Sequence, residues 1–222
     1  MHGYAQFLNH KGRPIHKGAN YFAAYERHFG PYINRPITFL EIGAGNGGSS
    51  EFWKGYFGPL ARIVTLDISP ACKEFEDEQV AVRIGDQSDP AFLQSVLDEF
   101  GPPDLILDDG SHIMAHVQAS FDYLYPRMSR NGVYMVEDMH TAYWDEYGGG
   151  LRRPESFAER FKSFVDDLNV RFVRENDGSV KELGAYSISA YESIFVIEKA
   201  NFINKQMMYL GDRSRRVNMG AD

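Results

Sequence analysis

The rhythm of apolar and polar positions changes at Ile37. Downstream of it, short apolar runs alternate with longer stretches whose apolar residues recur every three to four positions, the periods of buried strands and amphipathic helices. ITFLEIG is the first strand, Gly43 to Gly48 a turn, and SSEFWKGYF a helix stopped by Gly58-Pro59. RIVTLDI, with Asp67 at its end, and AVRIGD, ending in Asp86, are the second and third strands. Asp89 to Phe100 reads as a helix that Gly101-Pro102-Pro103 terminates. DLILDD is the fourth strand, HVQASFDYLYPRM a helix and GVYMVED the fifth strand. After a Gly148-Gly149-Gly150 hinge, SFAERFKSFVDDLN reads as an amphipathic helix, VRFVRE as a strand, and SISAYE with SIFVIEKA as a terminal antiparallel hairpin. Upstream of Ile37 the chain is mixed polar and aromatic. There, Tyr21, Phe22, Tyr25 and Phe29 stand at helical spacing, which predicts a packing helix, the alternative being a lid over a cofactor.

Strands alternating with helices predict an α/β fold with a doubly wound, mostly parallel sheet of about seven strands. The expected organisation is an N-terminal helical segment or lid over 1–35, a main domain over 36–200 and a polar C-terminal tail over 201–222. Ligands of such sheets bind at the carboxyl ends of the strands, near the topological switch point. Glu41–Gly48, Asp67, Asp86, Asp109 and Glu137–Asp138 all fall at such ends.

Composition narrows the class. With 222 residues, 43% hydrophobic and 24% charged, one domain with a sizeable core is expected. A formal net charge of -8 argues against a nucleic-acid surface. The single cysteine, Cys72, excludes an internal disulfide and suits a cytoplasmic setting, with the thiol structural. No segment has the apolar core of a signal peptide or the ~18 apolar residues of a membrane span. No membrane partner is therefore expected, and the Met-bearing tail either is disordered or packs on a neighbouring subunit in a homo-oligomer.

The chemistry-bearing residues concentrate at two places. Gly43-Ala44-Gly45-Asn46-Gly47-Gly48 contains G-x-G-x-x-G, where glycines permit a tight turn and close approach of a nucleotide-like cofactor. Asp67 is placed to accept hydrogen bonds from ribose hydroxyls, and Asp86 with Gln87 to meet an adenine amino group. That glycine pattern also describes nicotinamide-dependent oxidoreductases. Glu41, in E-x-G-x-G-x-G, and the third acidic strand end tilt the reading toward S-adenosylmethionine. At the second place, Asp109, Glu137 and Asp138 end two apolar strands. Carboxylates gathered there repel unless a cation sits between them, and Mg²⁺ prefers such oxygen ligands.

LEIGAGNGGSSEFW, LDISP, IGDQSD, LILDDGSH and VYMVEDMHTAYW, in this order, resemble the metal-dependent class I S-adenosylmethionine O-methyltransferases that modify sugars of natural products. Macrolide deoxysugar methyltransferases are members of that family and CmcI-type proteins are relatives. The resemblance covers residues 20 to 200, and DDGSH with EDMHTAYW is its more specific part. It implies a Rossmann-like class I fold, three metal ligands matching Asp109, Glu137 and Asp138, and a catalytic base matching His112. Its implied substrate is a sugar hydroxyl of a glycosylated small molecule such as a macrolide. Some macrolide members carry an N-terminal domain for which 222 residues leave no room.

Several residues keep two readings. Asp108 either contacts the cofactor or orients Asp109. His116, one helical turn from His112, is expected to be structural, and His140 is a reserve base. Tyr143 and Trp144 either stack on a sugar ring or pack. For the whole chain, a catechol or other vicinal-diol acceptor is the alternative within the same chemistry. An NAD-dependent oxidoreductase is the alternative from another class, and it leaves the three carboxylates unexplained.

Overall fold

The computed structural model describes residues 2–199 together with Leu210 and Gly211; the expected tail otherwise lies outside the described residues. In chain order the elements are α1 (His2–Leu8), α2 (Tyr21–His28), β1 (Thr38–Ile42), α3 (Gly48–Phe57), β2 (Arg62–Asp67), β3 (Val80–Ile84), α4 (Pro90–Phe100), β4 (Leu105–Asp108), α5 (Met114–Leu124), β5 (Val133–Val136), α6 (Phe157–Leu168), β6 (Ser187–Tyr191) and β7 (Ile194–Glu198), with short 3₁₀ turns between them.

The seven strands run in the order β3-β2-β1-β4-β5-β7-β6, with β7 antiparallel to both of its neighbours and the rest parallel. The order reverses between β1 and β4, which places the switch point there. Register then builds the site. Ile42 pairs with Asp108, and Asp108 with Val136. One residue further on, Gly43, Asp109 and Glu137 therefore emerge side by side. The Asp109 amide donates to Ile42 O at 3.0 Å and the Glu137 amide to Asp108 O at 2.9 Å, carrying the ladder to the rim.

Both faces of the sheet are covered, which is why its central strands read as continuous apolar runs. One face packs on α4, α5 and α6 through residues such as Leu40, Ile106, Phe121 and Phe161. The other is strongly aromatic, with Phe22, Tyr25, Phe29, Phe39, Trp53 and Phe57 packed ring against ring between α2, α3 and β1. Each such fully buried side chain contributes roughly 1.5–3 kcal/mol. Helix starts follow local chemistry. The Asp89 carboxylate accepts from Ala91 N at 2.8 Å, with Pro90 at the first helical position of α4. Ser156 caps α6 and also donates to Ala142 O at 2.8 Å, tying that helix to the turn after β5.

The fold departs from the sequence reading in three places. VRFVRE is a 3₁₀ turn at Val170–Phe172 followed by irregular chain, not a strand. Among the described residues no strand pairs with it, and Phe172 and Val173 stay exposed. Gly148–Gly150 is no hinge. The Gly149 and Gly150 amides donate to Trp144 O and Ala142 O at 2.9 Å, and a Cβ on Gly149 would meet Ala142 backbone at 2.5 Å. The polar start, read as part of an N-terminal helical segment, contains α1, whose Tyr4 and Phe7 rings pack on Phe22. Lastly, α5 begins at Met114, so His112 lies in the preceding loop rather than on a helix, and shares no helical face with His116.

Candidate active site

The glycine turn is held from below by Asp67. Its Oδ2 accepts from the amides of Ala44 at 2.9 Å and Gly45 at 3.3 Å, and its Oδ1 from Ser69 at 2.8 Å. Gly43 has φ +98°, and a Cβ there would lie 2.2 Å from Asp109 O, so only glycine lets the β1 and β4 ends pass this closely. Above the turn opens a cavity of about 310 Å³, whose walls include Gly43, Gly45, Asp67, Asp86, Gln87 and His116. That size and its apolar walls suit a small-molecule ligand. The Cys72 thiol, buried below at 3.7 Å from Gly45 O, is pushed up by burial and is inert by position.

The predicted cofactor residues divide into wall and frame. Asp86 lines the cavity and takes two hydrogen bonds from Ser88, which pull its carboxyl below the usual range. Gln87 also lines it, yet both its ends are engaged. Its Oε1 accepts from Ser111 N at 2.8 Å and its Nε2 donates to Asp108 at 3.1 Å. Asp108 is buried away from the cavity, where burial raises its carboxyl. It accepts from Ser120 Oγ at 2.5 Å and Tyr134 OH at 3.3 Å. Glu41 likewise does not reach the cavity. Its Oε1 accepts from Ser49 and Trp53, and its Oε2 is buried without a partner. Burial pushes its carboxyl up to about 7, against the pull of Lys17.

The three acidic strand ends converge beside this cavity. Asp109, His112 and Asp138 each offer a ligand atom, all within 4.8 Å of one another. His112 Nε2 lies 3.6 Å from Asp138 Oδ2. The hard carboxylate oxygens of Asp109 and Asp138, drawn from two strand ends, fit a divalent cation, and the His112 imidazole stands beside them. Glu137 is placed differently. It is fully buried, with Oε1 accepting from Tyr25 OH and Oε2 from Lys17 Nζ at 2.9 Å. Burial pushes its carboxyl well up, and Lys17 opposes that.

Lys17, Tyr21 and Tyr25 are the residues that sequence reasoning missed. Lys17 Nζ also reaches Asp109 Oδ2 at 2.5 Å. Burial works against its charge, but Asp109 and Glu137 outweigh burial and hold the ammonium protonated far above neutrality. Tyr21 OH donates to Asp138 Oδ1, and burial first, then that bond, keeps it a phenol. α2 packs into the aromatic core, as its spacing predicts, and through Tyr21 and Tyr25 it also braces the carboxylates. The tyrosines at i and i+4 were visible as a helical face, but nothing in the sequence aimed them at Asp138 and Glu137. Residues 10–17 run between α1 and α2 as a strap over the glycine turn. Their anchors are Arg13 N to Glu51 Oε2 at 2.8 Å and the Arg13 guanidinium 4.5 Å over the Phe75 ring. A Cβ on Gly48 would meet Arg13 O and Pro14 O of this strap at 2.3 and 2.4 Å.

Backbone conformation marks the same place. His112 (φ 59°), Asp138 (φ 53°) and Ser193 (φ 65°) all adopt left-handed backbone without being glycine. Ser193 Oγ lies 3.0 Å from Tyr21 OH, to which it can donate, and 2.6 Å from His140 Nδ1. Beside them opens a second cleft of about 510 Å³, walled by Tyr21, Met139, His140, Tyr143, Tyr191 and Phe195. Tyr143 and Trp144 are both about half exposed. Tyr143 lines the cleft, while the Trp144 ring stacks edge-on to His140 at 4.8 Å.

Comparison with known proteins fits this arrangement. No family model matches the chain. Over 157 residues, 67% of this chain and 41% of the relative, it is 43% identical to the 8-demethyl-8-alpha-L-rhamnosyl tetracenomycin-C 2'-O-methyltransferase of Streptomyces olivaceus. It is 35% identical over 188 residues, 79% of this chain and 47% of the relative, to the demethylmacrocin O-methyltransferase of Streptomyces fradiae. The chain is a homologue of these sugar O-methyltransferases. The structure agrees. MycE, the methyltransferase of the mycinamycin biosynthetic pathway solved with Mg, SAH and mycinamycin VI, superposes with a TM-score of 0.75 at 31% identity. That match covers 84% of this chain and 52% of MycE. The fold is thus that of the class I methyltransferases. The chain spans about half the length of the sugar O-methyltransferases it matches.

Proposed function

We propose that this chain is an S-adenosylmethionine- and Mg²⁺-dependent O-methyltransferase acting on a sugar hydroxyl of a glycosylated natural product, with residues 36–200 as its methyltransferase domain. One observation carries the reading: Asp109, His112 and Asp138 come within 4.8 Å of one another at the mouth of a cavity built on the glycine turn. The homology to sugar O-methyltransferases supports the choice of acceptor. When bound, S-adenosylmethionine supplies an electrophilic methyl sulfonium, and the divalent cation supplies the charge that acidifies and holds the acceptor hydroxyl.

In this reading the turn at Gly43, Gly45 and Gly47 seats the cofactor, Asp67 receives its ribose, and Asp86 with Gln87 flanks its adenine. Glu41 and Asp108 act as frame, Glu41 beneath the turn through Trp53 and Ser49 and Asp108 through Gln87. Asp109 and Asp138 hold the cation, and Glu137 stands behind them as the third ligand. His112 Nε2 faces that group and takes the proton of the acceptor hydroxyl as the methyl arrives. The aromatic cleft of Tyr21, Tyr143 and Tyr191 holds the sugar on the far side of the carboxylates, where ring faces suit a sugar's C–H surface. Tyr21 touches both Asp138 and the cleft, so it sets how close the acceptor comes.

The test is direct. Purified protein is incubated with S-adenosylmethionine, Mg²⁺ and a polyketide bearing a rhamnosyl or deoxysugar group, and products are read by mass spectrometry. Methylated product that disappears with a chelator and returns with Mg²⁺ is expected. Full turnover by a verified metal-free sample, or binding of NAD with none of S-adenosylhomocysteine, overturns the reading.

A further inference from the structure

The carboxylate site already contains a cation. Lys17 Nζ lies 2.5 Å from Asp109 Oδ2 and 2.9 Å from Glu137 Oε2, and its side chain is 2% exposed. It arrives on the strap of residues 10–17 rather than on any element of the sheet. Every charged or phenolic group facing it belongs to this site: Asp109 and Glu137 in contact, Tyr25 behind Glu137, and Glu41 nearby. Glu137 has no free oxygen, since Tyr25 takes Oε1 and Lys17 takes Oε2. Asp109 and Asp138, by contrast, bring carboxylate oxygens within 4.8 Å of each other and of the His112 ring.

We propose that Lys17 is a resident counter-cation that holds Glu137 and Asp109 until a divalent ion displaces its ammonium from Glu137, and so sets how tightly that ion binds. The proposal rests on the reading above that Asp109, Glu137 and Asp138 hold a metal. Two like cations cannot share Glu137 Oε2 at contact distance, so complete ligation by Glu137 requires the ammonium to withdraw. The strap allows this. Its anchor, Arg13 on Glu51 and Phe75, lies four residues before Lys17, and a lysine side chain has four rotatable carbons with which to retreat. Lys17 also resolves a folding problem, because without a cation the buried Glu137 and the partly buried Asp109 are adjacent with nothing between them. It is a positioning residue and touches neither cofactor nor acceptor in this reading.

The experiment compares wild type, Lys17→Met and Lys17→Arg by calorimetric titration with Mg²⁺ and by thermal unfolding with and without Mg²⁺. Lys17→Met is expected to bind Mg²⁺ roughly tenfold or more tightly than wild type, because one positive charge leaves the site. It should melt lower than wild type in a chelator, with Mg²⁺ closing most of that gap. Lys17→Arg keeps the charge and should bind Mg²⁺ no more tightly than wild type. Mere structural damage does not tighten metal binding. Should Lys17→Met fail to fold, the lysine ¹⁵Nζ resonance of wild type decides. Loss or displacement of the protected Lys17 signal at saturating Mg²⁺ supports the proposal, and an unmoved signal overturns it. Equal or weaker Mg²⁺ binding by a folded Lys17→Met, with wild type still binding, overturns this proposal alone. Absence of Mg²⁺ binding by both proteins overturns the metal reading itself, and this inference with it.

Discussion

His112 sits in a left-handed loop 3.6 Å from Asp138, held by backbone rather than by a helix. For the proposed role of proton acceptor the alternative is His140, whose Nδ1 contacts Ser193 Oγ and lies 3.9 Å from Asp138 Oδ1. His112→Ala is expected to lower kcat by roughly 10²-fold or more, with affinity for S-adenosylhomocysteine unchanged. Near-normal turnover by His112→Ala, with loss in His140→Ala, would move the role to His140. At this scale the sequence showed the carboxylates and the histidine, because each ends an apolar strand or follows one. It did not show their partners. Lys17 sits in a polar stretch with no periodicity, and its approach to Asp109 spans 92 residues of chain. The separate placing of Glu137 was hidden too, since strand-end position says nothing about which oxygen Tyr25 or Lys17 occupies.

Among elements, the β1 and β4 ends are joined most tightly at Gly43, where φ +98° and a Cβ only 2.2 Å from Asp109 O forbid any side chain. Gly45 differs. It has φ +52°, and a Cβ there meets nothing within 4 Å. Gly43→Ala should therefore destabilise the fold by more than the roughly 1–3 kcal/mol of strained backbone alone and weaken S-adenosylhomocysteine binding. Gly45→Ala should cost about 1 kcal/mol. Denaturant midpoints of the two variants measure the difference, and equal losses would mean that the β4 end yields. Strand-turn-helix units were legible because a buried parallel sheet writes itself as apolar runs broken by glycine and proline. VRFVRE was not, because its two valines make a strand only where another strand pairs with them, and among the described residues none does.

Over the whole molecule, buried charge ties stability to pH. The Glu41 carboxyl titrates at about 7 in the fold against 4.5 ordinarily, because burial disfavours its anion. Between those values the folded protein keeps a proton that the unfolded chain has lost. Stability from this group therefore falls as pH rises from about 4.5 to about 7 and is level above. Metal-free wild type should lose about 2 kcal/mol more than Glu41→Gln between pH 5 and pH 8, read by chemical denaturation. Parallel curves for the two proteins would contradict this. Among the described residues no helix is long and apolar enough to cross a membrane. The three left-handed residues His112, Asp138 and Ser193 have a consequence beyond geometry. Glycine at any of them would relax the backbone, and glycine at any of them deletes a side chain that faces the carboxylates or the aromatic cleft. Selection for heat resistance alone would thus erode this rim, whereas selection for turnover would preserve it at the expense of robustness.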